Sequence, residues 1–254
     1  MLTKAKIEKS LKRLGIEIPV VFYELTDSTN TRAKEFAKSR ADGKREPVLF
    51  VANGQTKGRG RMGRSFVSNF GSGIYMSLLL YPKEKGYDTT RATAEAAVAL
   101  ARAVESLCDA RPEIKWVNDL YLGGRKLAGI LCEGELLQSG EIGYLVVGMG
   151  INVYKNAVSE EISAIATSIE SETNRAPDRS DLTAMTVKEL LNRDSDVYSE
   201  YKARSLVIGR CVTVMGANES YTAQAIDVGE DYSLIVERDG KTERLFTGEV
   251  SLKI

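Results

Sequence analysis

The chain has 254 residues, enough to bury a real core in one large or two unequal domains. Its 35 Lys+Arg and 35 Asp+Glu cancel, so no net charge draws it to DNA or to an anionic membrane. There is no histidine, and Cys108, Cys132 and Cys211 are scattered without CxxC spacing, which excludes a His-based triad, a His-ligated metal and structural zinc.

The cysteine usage fits a reducing cytoplasm, with each thiol a small buried apolar residue. Lys4, Lys6, Lys9, Lys12 and Arg13 lead into no continuous apolar core, and no 18-residue apolar run occurs. Neither a signal peptide nor a membrane span is therefore expected.

Residues 3–14 predict a short amphipathic helix with Ile7, Leu11 and Leu14 on one face and Gly15 as its stop. About twenty residues before the next strand leave no room for the several helices of a winged helix-turn-helix. Residues 19–25 predict a strand that runs into Thr26-Asp27-Ser28-Thr29-Asn30, after which Ala33, Phe36 and Ala37 recur at helical spacing. Ser28 is the expected N-cap region. Taken alone, those residue types favour ordinary capping; the functional alternative is a corner of hydroxyls and an amide that binds a neutral polar group.

Two apolar runs, 48–52 and 74–80, predict buried strands and enclose residues 54–64. This loop places glycines among Lys57, Arg59, Arg61 and Arg64 with no carboxylate. Glycines bring backbone close to a ligand, successive amides form an anion nest, and guanidinium forks match carboxylate or phosphate oxygens. Such segments are more often solvated basic turns, but one fastened at both ends by core strands is placed to act on a ligand.

Residues 88–107 predict the clearest helix. Residues 114–122 and 125–133 then read as the arms of a hairpin turning at Gly123-Gly124, which gathers Lys115, Asn118, Asp119 and Lys126 in one region. Lysines among buried strands need an anionic partner. Residues 142–147 predict a strand ending in Gly148-Met149-Gly150, and 154–180 a polar, lid-like stretch. A helix follows from Ser180-Asp181 to about Arg204. From Gly209 short alternating segments with a tight turn at Asp239-Gly240 predict a small β barrel, giving domains of 1–205 and 206–254.

Taken in order, Asp27-Ser28-Thr29-Asn30, the loop from Gln55 to Arg64, Lys115-Trp116-Val117-Asn118-Asp119-Leu120, Arg125-Lys126-Leu127-Ala128-Gly129-Ile130-Leu131 and Gly148-Met149-Gly150-Ile151-Asn152 resemble the successive motifs of the biotin protein ligases. Residues 209–254 resemble that family's SH3-like C-terminal domain. The resemblance implies an α+β fold: a class II synthetase-like mixed β-sheet catalytic domain with packed helices, followed by the small barrel. It also implies ATP-dependent activation of biotin as biotinyl-5'-AMP, with Mg2+, and transfer to a lysine of a biotin carboxyl carrier protein by a cytoplasmic monomer or homodimer.

By the same resemblance, Ser28, Thr29, Asn30, Gln55, Arg59, Gly60, Arg61, Lys126 and Gly129 surround biotin. Arg61, Arg64, Phe66, Lys115, Asn118 and Asn152 serve the nucleotide, Lys115, Lys126 and Arg61 stabilise charge, and Asp119 is the candidate metal contact. Two departures stand out: the family usually has Trp where Phe66 stands, which keeps a smaller π face, and Pro where Val117 stands.

The chemistry fits these residues directly. A carboxylate attacking the α-phosphorus brings two anions together, and fixed cations lower that barrier without a histidine or cysteine base. The alternatives are a lipoate or octanoate ligase of the same fold, a biotin-sensing repressor, and a non-catalytic SH3-like module. A corner of hydroxyls favours a ureido ring over a fatty chain, and the short N-terminus with zero net charge disfavours the repressor. The module leaves the lysines and the Gly/Arg loop unexplained.

Overall fold

In the computed structural model, which describes residues 1–40, 45–84, 86–192, 196–215, 220–246 and 248–252, the site is carried by a seven-stranded sheet. Its strands are β1 (Val20–Tyr23), β2 (Val48–Ala52), β3 (Gly73–Leu80), β4 (Glu113–Lys115), β5 (Asp119–Leu122), β6 (Arg125–Leu136) and β7 (Ile142–Asn152), in the order β1-β2-β3-β7-β6-β5-β4. β1 and β2 are parallel, linked through α2 (Thr29–Ser39); every other neighbouring pair is antiparallel.

β2 and β3 are buried throughout and carry no polar side-chain group except the Ser77 and Tyr75 hydroxyls, because both faces are covered. Val48, Phe50 and Leu79 pack with Ala33 of α2 on one side. Leu49, Val51 and Leu78 join the main core on the other, with α1 (Lys4–Arg13), α3 (Thr89–Cys108) and α5 (Arg179–Leu191). The remaining helices are the short α4 (Ile169–Thr173) and α6 (Val197–Ala203).

A second sheet holds β8 (Cys211–Met215), β9 (Ser220–Val228), β10 (Leu234–Arg238), β11 (Lys241–Leu245) and β12 (Glu249–Leu252). It is antiparallel in the order β11-β10-β9-β8-β12. The mixed sheet with packed helices is the one the sequence predicts, and the segment read there as a small β barrel forms this separate five-stranded antiparallel sheet. Residues 253 and 254, expected to end the last strand, lie outside the described residues, as does Thr247.

Four local expectations need correction. Residues 114–122 are not one hairpin arm: the chain reverses at Trp116-Val117-Asn118, so β4 pairs with β5 and Lys115 faces Asp119 in register. The Trp116 indole N–H donates to Tyr232 O at 2.9 Å and the Tyr201 hydroxyl donates to Val117 O at 3.1 Å, which pins that turn from outside the sheet. The Trp116–Val117 peptide is cis.

The helix expected to reach about Arg204 is instead two helices. Asn192 leaves helical geometry as the C-cap of α5, and Asp196 starts α6 by accepting from Ser199 N, as short polar side chains that compete for backbone bonds do. β7 runs through its glycines to Asn152 instead of ending at residue 147. Of the cysteines, Cys211 is exposed and Cys108 and Cys132 are half-buried as residues; desolvation pushes the Cys132 thiol up to about 12.

Candidate active site

The corner after β1 is built by local hydrogen bonds. Asp27 Oδ1 accepts from Ser28 N at 2.6 Å and is paired with Arg32, while Ser28 stands at the N-cap position and its side chain makes no capping bond. Thr29 N donates to Gln55 Oε1 at 2.8 Å, Gln55 Nε2 donates to Ser68 Oγ at 3.0 Å, and Thr29 Oγ1 lies 3.2 Å from the same Gln55 oxygen. Ser28, Thr29 and Asn30 are all buried, yet they line a cleft.

The Gly/Arg loop forms a small hairpin. Phe66 N donates to Gly58 O at 2.9 Å, Gly60 N donates to Arg64 O at 2.7 Å, and Arg59 bridges Ser65. Met62 stands at its exposed tip with φ 54. The hairpin lays Phe66 on a floor made by Gly129 and Gly150, which are partners across β6 and β7. A Cβ at Gly150 would come within 2.4 Å of the Phe66 ring, so only glycine lets that ring lie flat there. Tyr75 meets the ring edge-on at 6.5 Å.

Across the cleft, Arg61 Nη1 donates to Asn118 Oδ1 at 3.3 Å, and the Asn118 amide donates to Ile130 O at 2.9 Å. Lys126 Nζ sits 2.8 Å from Asp119 Oδ2, whereas Asp119 Oδ1 is buried with no hydrogen-bond partner among the described residues. Lys115 Nζ lies 5.6 Å from the Tyr121 ring centroid. The segment after β7 clamps Lys126 by its backbone: Lys126 N donates to Ile165 O, and Thr167 N donates to Lys126 O, both at 2.9 Å.

Five cations, Arg59, Arg61, Arg64, Lys115 and Lys126, line this cleft with one carboxylate, Asp119. In a chain of zero net charge that concentration seeks an anion. The cavity measures about 120 Å³, with Phe66 in its lining. Of the candidate biotin- and nucleotide-binding residues, Asn152 alone stands away from the lining, and of the loop's cations Lys57 does; the Asn152 amide donates to Thr167 O at 3.0 Å and so holds the segment that clamps Lys126.

Two residues that sequence reasoning passed over complete the site. Ser77, fully buried in β3, lies 2.7 Å from Thr29 Oγ1 and 2.6 Å from Asn30 Oδ1. Glu133 accepts from Asn30 Nδ2 at 2.9 Å and from Lys34 Nζ at 2.6 Å, with Arg59 Nη1 3.8 Å away. Burial alone pushes Glu133 up, but the bonds from Lys34 and Asn30 outweigh it and hold the carboxyl below its usual range. A lone serine in a continuous apolar strand was the available signal for Ser77, since a buried hydroxyl requires a partner. The arrangement suits a small ligand with a polar ring at one end and an anion at the other.

The sequence profile of the biotin/lipoate A/B protein ligase family matches residues 22–152. The biotin--[acetyl-CoA-carboxylase] ligase of Mycobacterium tuberculosis is 30% identical over 89% of this chain and 85% of its own length. The bifunctional ligase/repressor BirA of Bacillus subtilis is 28% identical over 97% of this chain and 79% of its own. A solved structure of the biotin protein ligase of Aquifex aeolicus, in complex with biotin and ATP, superposes with a TM-score of 0.77 at 27% identity, covering 92% of this chain and 98% of that one. The chain belongs to the biotin/lipoate A/B protein ligase family.

Proposed function

We propose that the chain is an ATP-dependent ligase that activates biotin as biotinyl-5'-AMP and transfers the biotinyl group to a lysine of a biotin carboxyl carrier protein. The observation that carries this is the cleft itself: five cations and one carboxylate beside a hydroxyl-and-amide corner. The relatives' names and the biotin and ATP held by the Aquifex aeolicus enzyme point the same way.

In the first step a biotin carboxylate oxygen bonds to the α-phosphorus of ATP, the bond from that phosphorus to the bridging oxygen breaks, and pyrophosphate leaves. Lys115, Lys126 and Arg61 neutralise the charge that spreads over the phosphoryl oxygens. Ser28, Thr29, Asn30, Gln55 and the Arg59-Gly60 backbone hold the ureido ring over Gly129, while Arg64, Phe66 and Asn118 take the nucleotide. In the second step the carrier lysine amine bonds to the acyl carbon, AMP departs with the electron pair of the mixed anhydride, and the amine proton passes to solvent.

Mg2+ fits this site through one residue. The unpartnered, buried Asp119 Oδ1 is a ready oxygen donor, and among the described residues no group of three or more acidic or cysteine side chains could hold a metal. Bound there, the ion would neutralise phosphate charge, drawing its remaining ligands from phosphates and water. Incubation with biotin, ATP, Mg2+ and a carrier domain should add the mass of one biotinyl group to the carrier. Transfer of lipoate or octanoate instead, with biotin left unused, would overturn the reading.

Recognition of operator DNA is not part of this function. Within these residues one ten-residue helix precedes β1; its Ile7 and Leu11 are buried in the core, Lys4 pairs with Glu8, and Arg13 pairs with Asp181. The helix thus lies with its apolar face buried in the core and is not one of a packed pair of helices that presents a reading helix to a groove, although Lys6, Lys9 and Lys12 leave its outer face basic. A gel shift at physiological salt, with biotin and ATP present, should show no sequence-selective complex; a tight, selective one would refute this. No helix among the described residues is long and apolar enough to cross a membrane, and the proposed place of action is the cytoplasm.

A further inference from the structure

Lys115 ends the three-residue β4, directly before the reversal at Trp116-Val117-Asn118, so its place in the cleft follows from how that turn is held. The two sides of the turn are held differently. Asn118 is tied to β6, its carbonyl accepting from Ile130 N and its amide donating to Ile130 O, both at 2.9 Å. Trp116 and Val117 depend on residues outside the sheet: the indole N–H donates to Tyr232 O at 2.9 Å, and the Val117 carbonyl accepts from the Tyr201 hydroxyl at 3.1 Å. Both residues are buried, so water is not at hand to replace either partner.

The Tyr201 hydroxyl stands on a rigid mount. α6 is fastened to α3 by the Arg102 Nε bond to Glu200 at 2.7 Å and by the ion pair of Arg204 with Glu105, and Arg204 Nε closes back on Glu200 at 2.9 Å. The segment after α6 completes the outer edge of β4: Ile114 N donates to Arg204 O at 2.7 Å, and Leu206 N donates to Ile114 O at 2.8 Å. Tyr201 is fully buried, and its ring meets that of Tyr232 edge-on at 5.5 Å. Burial pushes its hydroxyl well above the ordinary tyrosine range, so the group remains a donor at any working pH.

We propose that Tyr201 is a positioning residue for adenylate formation: from a helix locked on α3 its hydroxyl holds the Val117 carbonyl, and with it the turn that sets Lys115 in the cleft. The proposal rests on the ligase reading above. Tyr201 does not line the cleft and touches no reacting atom; it acts through Lys115. The Lys115 ammonium lies 5.6 Å from the Tyr121 ring centroid, so its side chain already follows β5, and what the turn adds is the point from which that side chain starts. A buried carbonyl that loses its donor is unfavourable enough to make the turn relax toward another partner. The end of β4 would then shift while Asn118 stays tied to β6, and a misplacement on the order of 1 Å can slow a reaction by up to about 10²-fold.

The test is Tyr201→Phe on the full chain, which removes the hydroxyl and keeps the ring on Tyr232, with Tyr198→Phe as its control. Tyr198 stands on the same helix, also meets Tyr232 edge-on, and donates its hydroxyl to Val228 O at 2.9 Å, away from the cleft. Single-turnover adenylation by Tyr201→Phe should slow about tenfold, with the biotin Kd within about threefold of wild type. Tyr198→Phe should adenylate at the wild-type rate, although its Tm falls as well. In a Lys115→Ala background the Tyr201 substitution should slow the reaction by no more than about threefold further, because both act on one cation. Trp116 is the chain's sole tryptophan, so its emission reports the turn, and acrylamide should quench it more readily in Tyr201→Phe than in Tyr198→Phe.

Adenylation at the wild-type rate in Tyr201→Phe, an equal slowing in Tyr198→Phe, a loss confined to biotin affinity, or losses that multiply in the Lys115→Ala background would overturn the proposal. If Tyr201→Phe does not fold, Trp116→Phe, which removes the indole N–H and keeps an apolar ring in the turn, decides by the same comparison with Lys115→Ala, and an unchanged rate there counts against the turn. A wild-type chain that forms no biotinyl-adenylate from biotin and ATP would instead defeat the ligase reading, so the two failures are distinguishable.

Discussion

Lys115→Ala is expected to slow biotinyl-adenylate formation by about 10²–10³-fold, the scale of removing one fixed charge-stabilising group, while leaving biotin affinity within about threefold. The reversal at Trp116-Val117-Asn118 sets Lys115 in register with Asp119, whose second oxygen is paired with Lys126. Lys115 and Lys126 are therefore both grouped with Asp119, on the part of the lining proposed to meet the carboxylate and the α-phosphate, where charge develops as the two react. Removing one cation there acts on the transition state more than on bound biotin. The side chain extends from a short strand whose turn is pinned by Tyr232 and Tyr201, so truncation leaves the fold's anchors in place. Single-turnover adenylation by rapid quench, set beside equilibrium biotin binding, measures both quantities. An adenylation rate near that of wild type would remove Lys115 from the chemistry.

The Gly/Arg loop and the Ser28–Asn30 corner can be marked in the sequence because their composition is local. Composition alone favours a solvated basic turn and ordinary capping, and it is the order of the motifs along the chain that gives both a ligand. The turn at Trp116 is not legible there, because Gly123-Gly124 is the stronger turn signal and draws the reversal to itself, although Lys115, Asn118 and Asp119 interrupt the apolar residues of 114–122. What pins it is an indole reaching Tyr232 in the turn between β9 and β10 and a hydroxyl from α6, both more than 80 residues away. Glu133 was hidden for a similar reason: at the end of a strand it resembles a solvated edge charge. Only the packing of α2 against the sheet brings Lys34 and Asn30 to it. The break between α5 and α6 was written locally, in Asn192 and Asp196, but helical spacing on both sides outweighed it.

Arg61→Gly should leave the fold intact and speed escape of the adenylate by at least about tenfold, as loss of a closing contact over a bound intermediate does, giving promiscuous labelling of nearby lysines. The loop holds itself by three internal pairings between residues 58 and 66. Among its contacts beyond the hairpin are the 3.3 Å bond from Arg61 to Asn118, the 3.8 Å approach of Arg59 to Glu133, and the Phe66 ring against Gly129 and Gly150. The cavity that this hairpin lines is about 120 Å³, below the roughly 300–1,000 Å³ of small-molecule sites, so the hairpin is expected to swing out when an adenylate is admitted. Few contacts oppose this opening, and clustered arginines repel one another until an anion arrives. With biotin and ATP bound, the amides of residues 58–66 should exchange more slowly, and the closed hairpin should keep water from the mixed anhydride. Without the Arg61 guanidinium that closure loses both its link to Asn118 and a charge on the adenylate phosphate. Hydrogen exchange with and without ligands, together with adenylate release rates from wild type and variant, tests both halves. Equal protection in the two states, or equal release from the two proteins, would reduce the hairpin to a solvated basic turn.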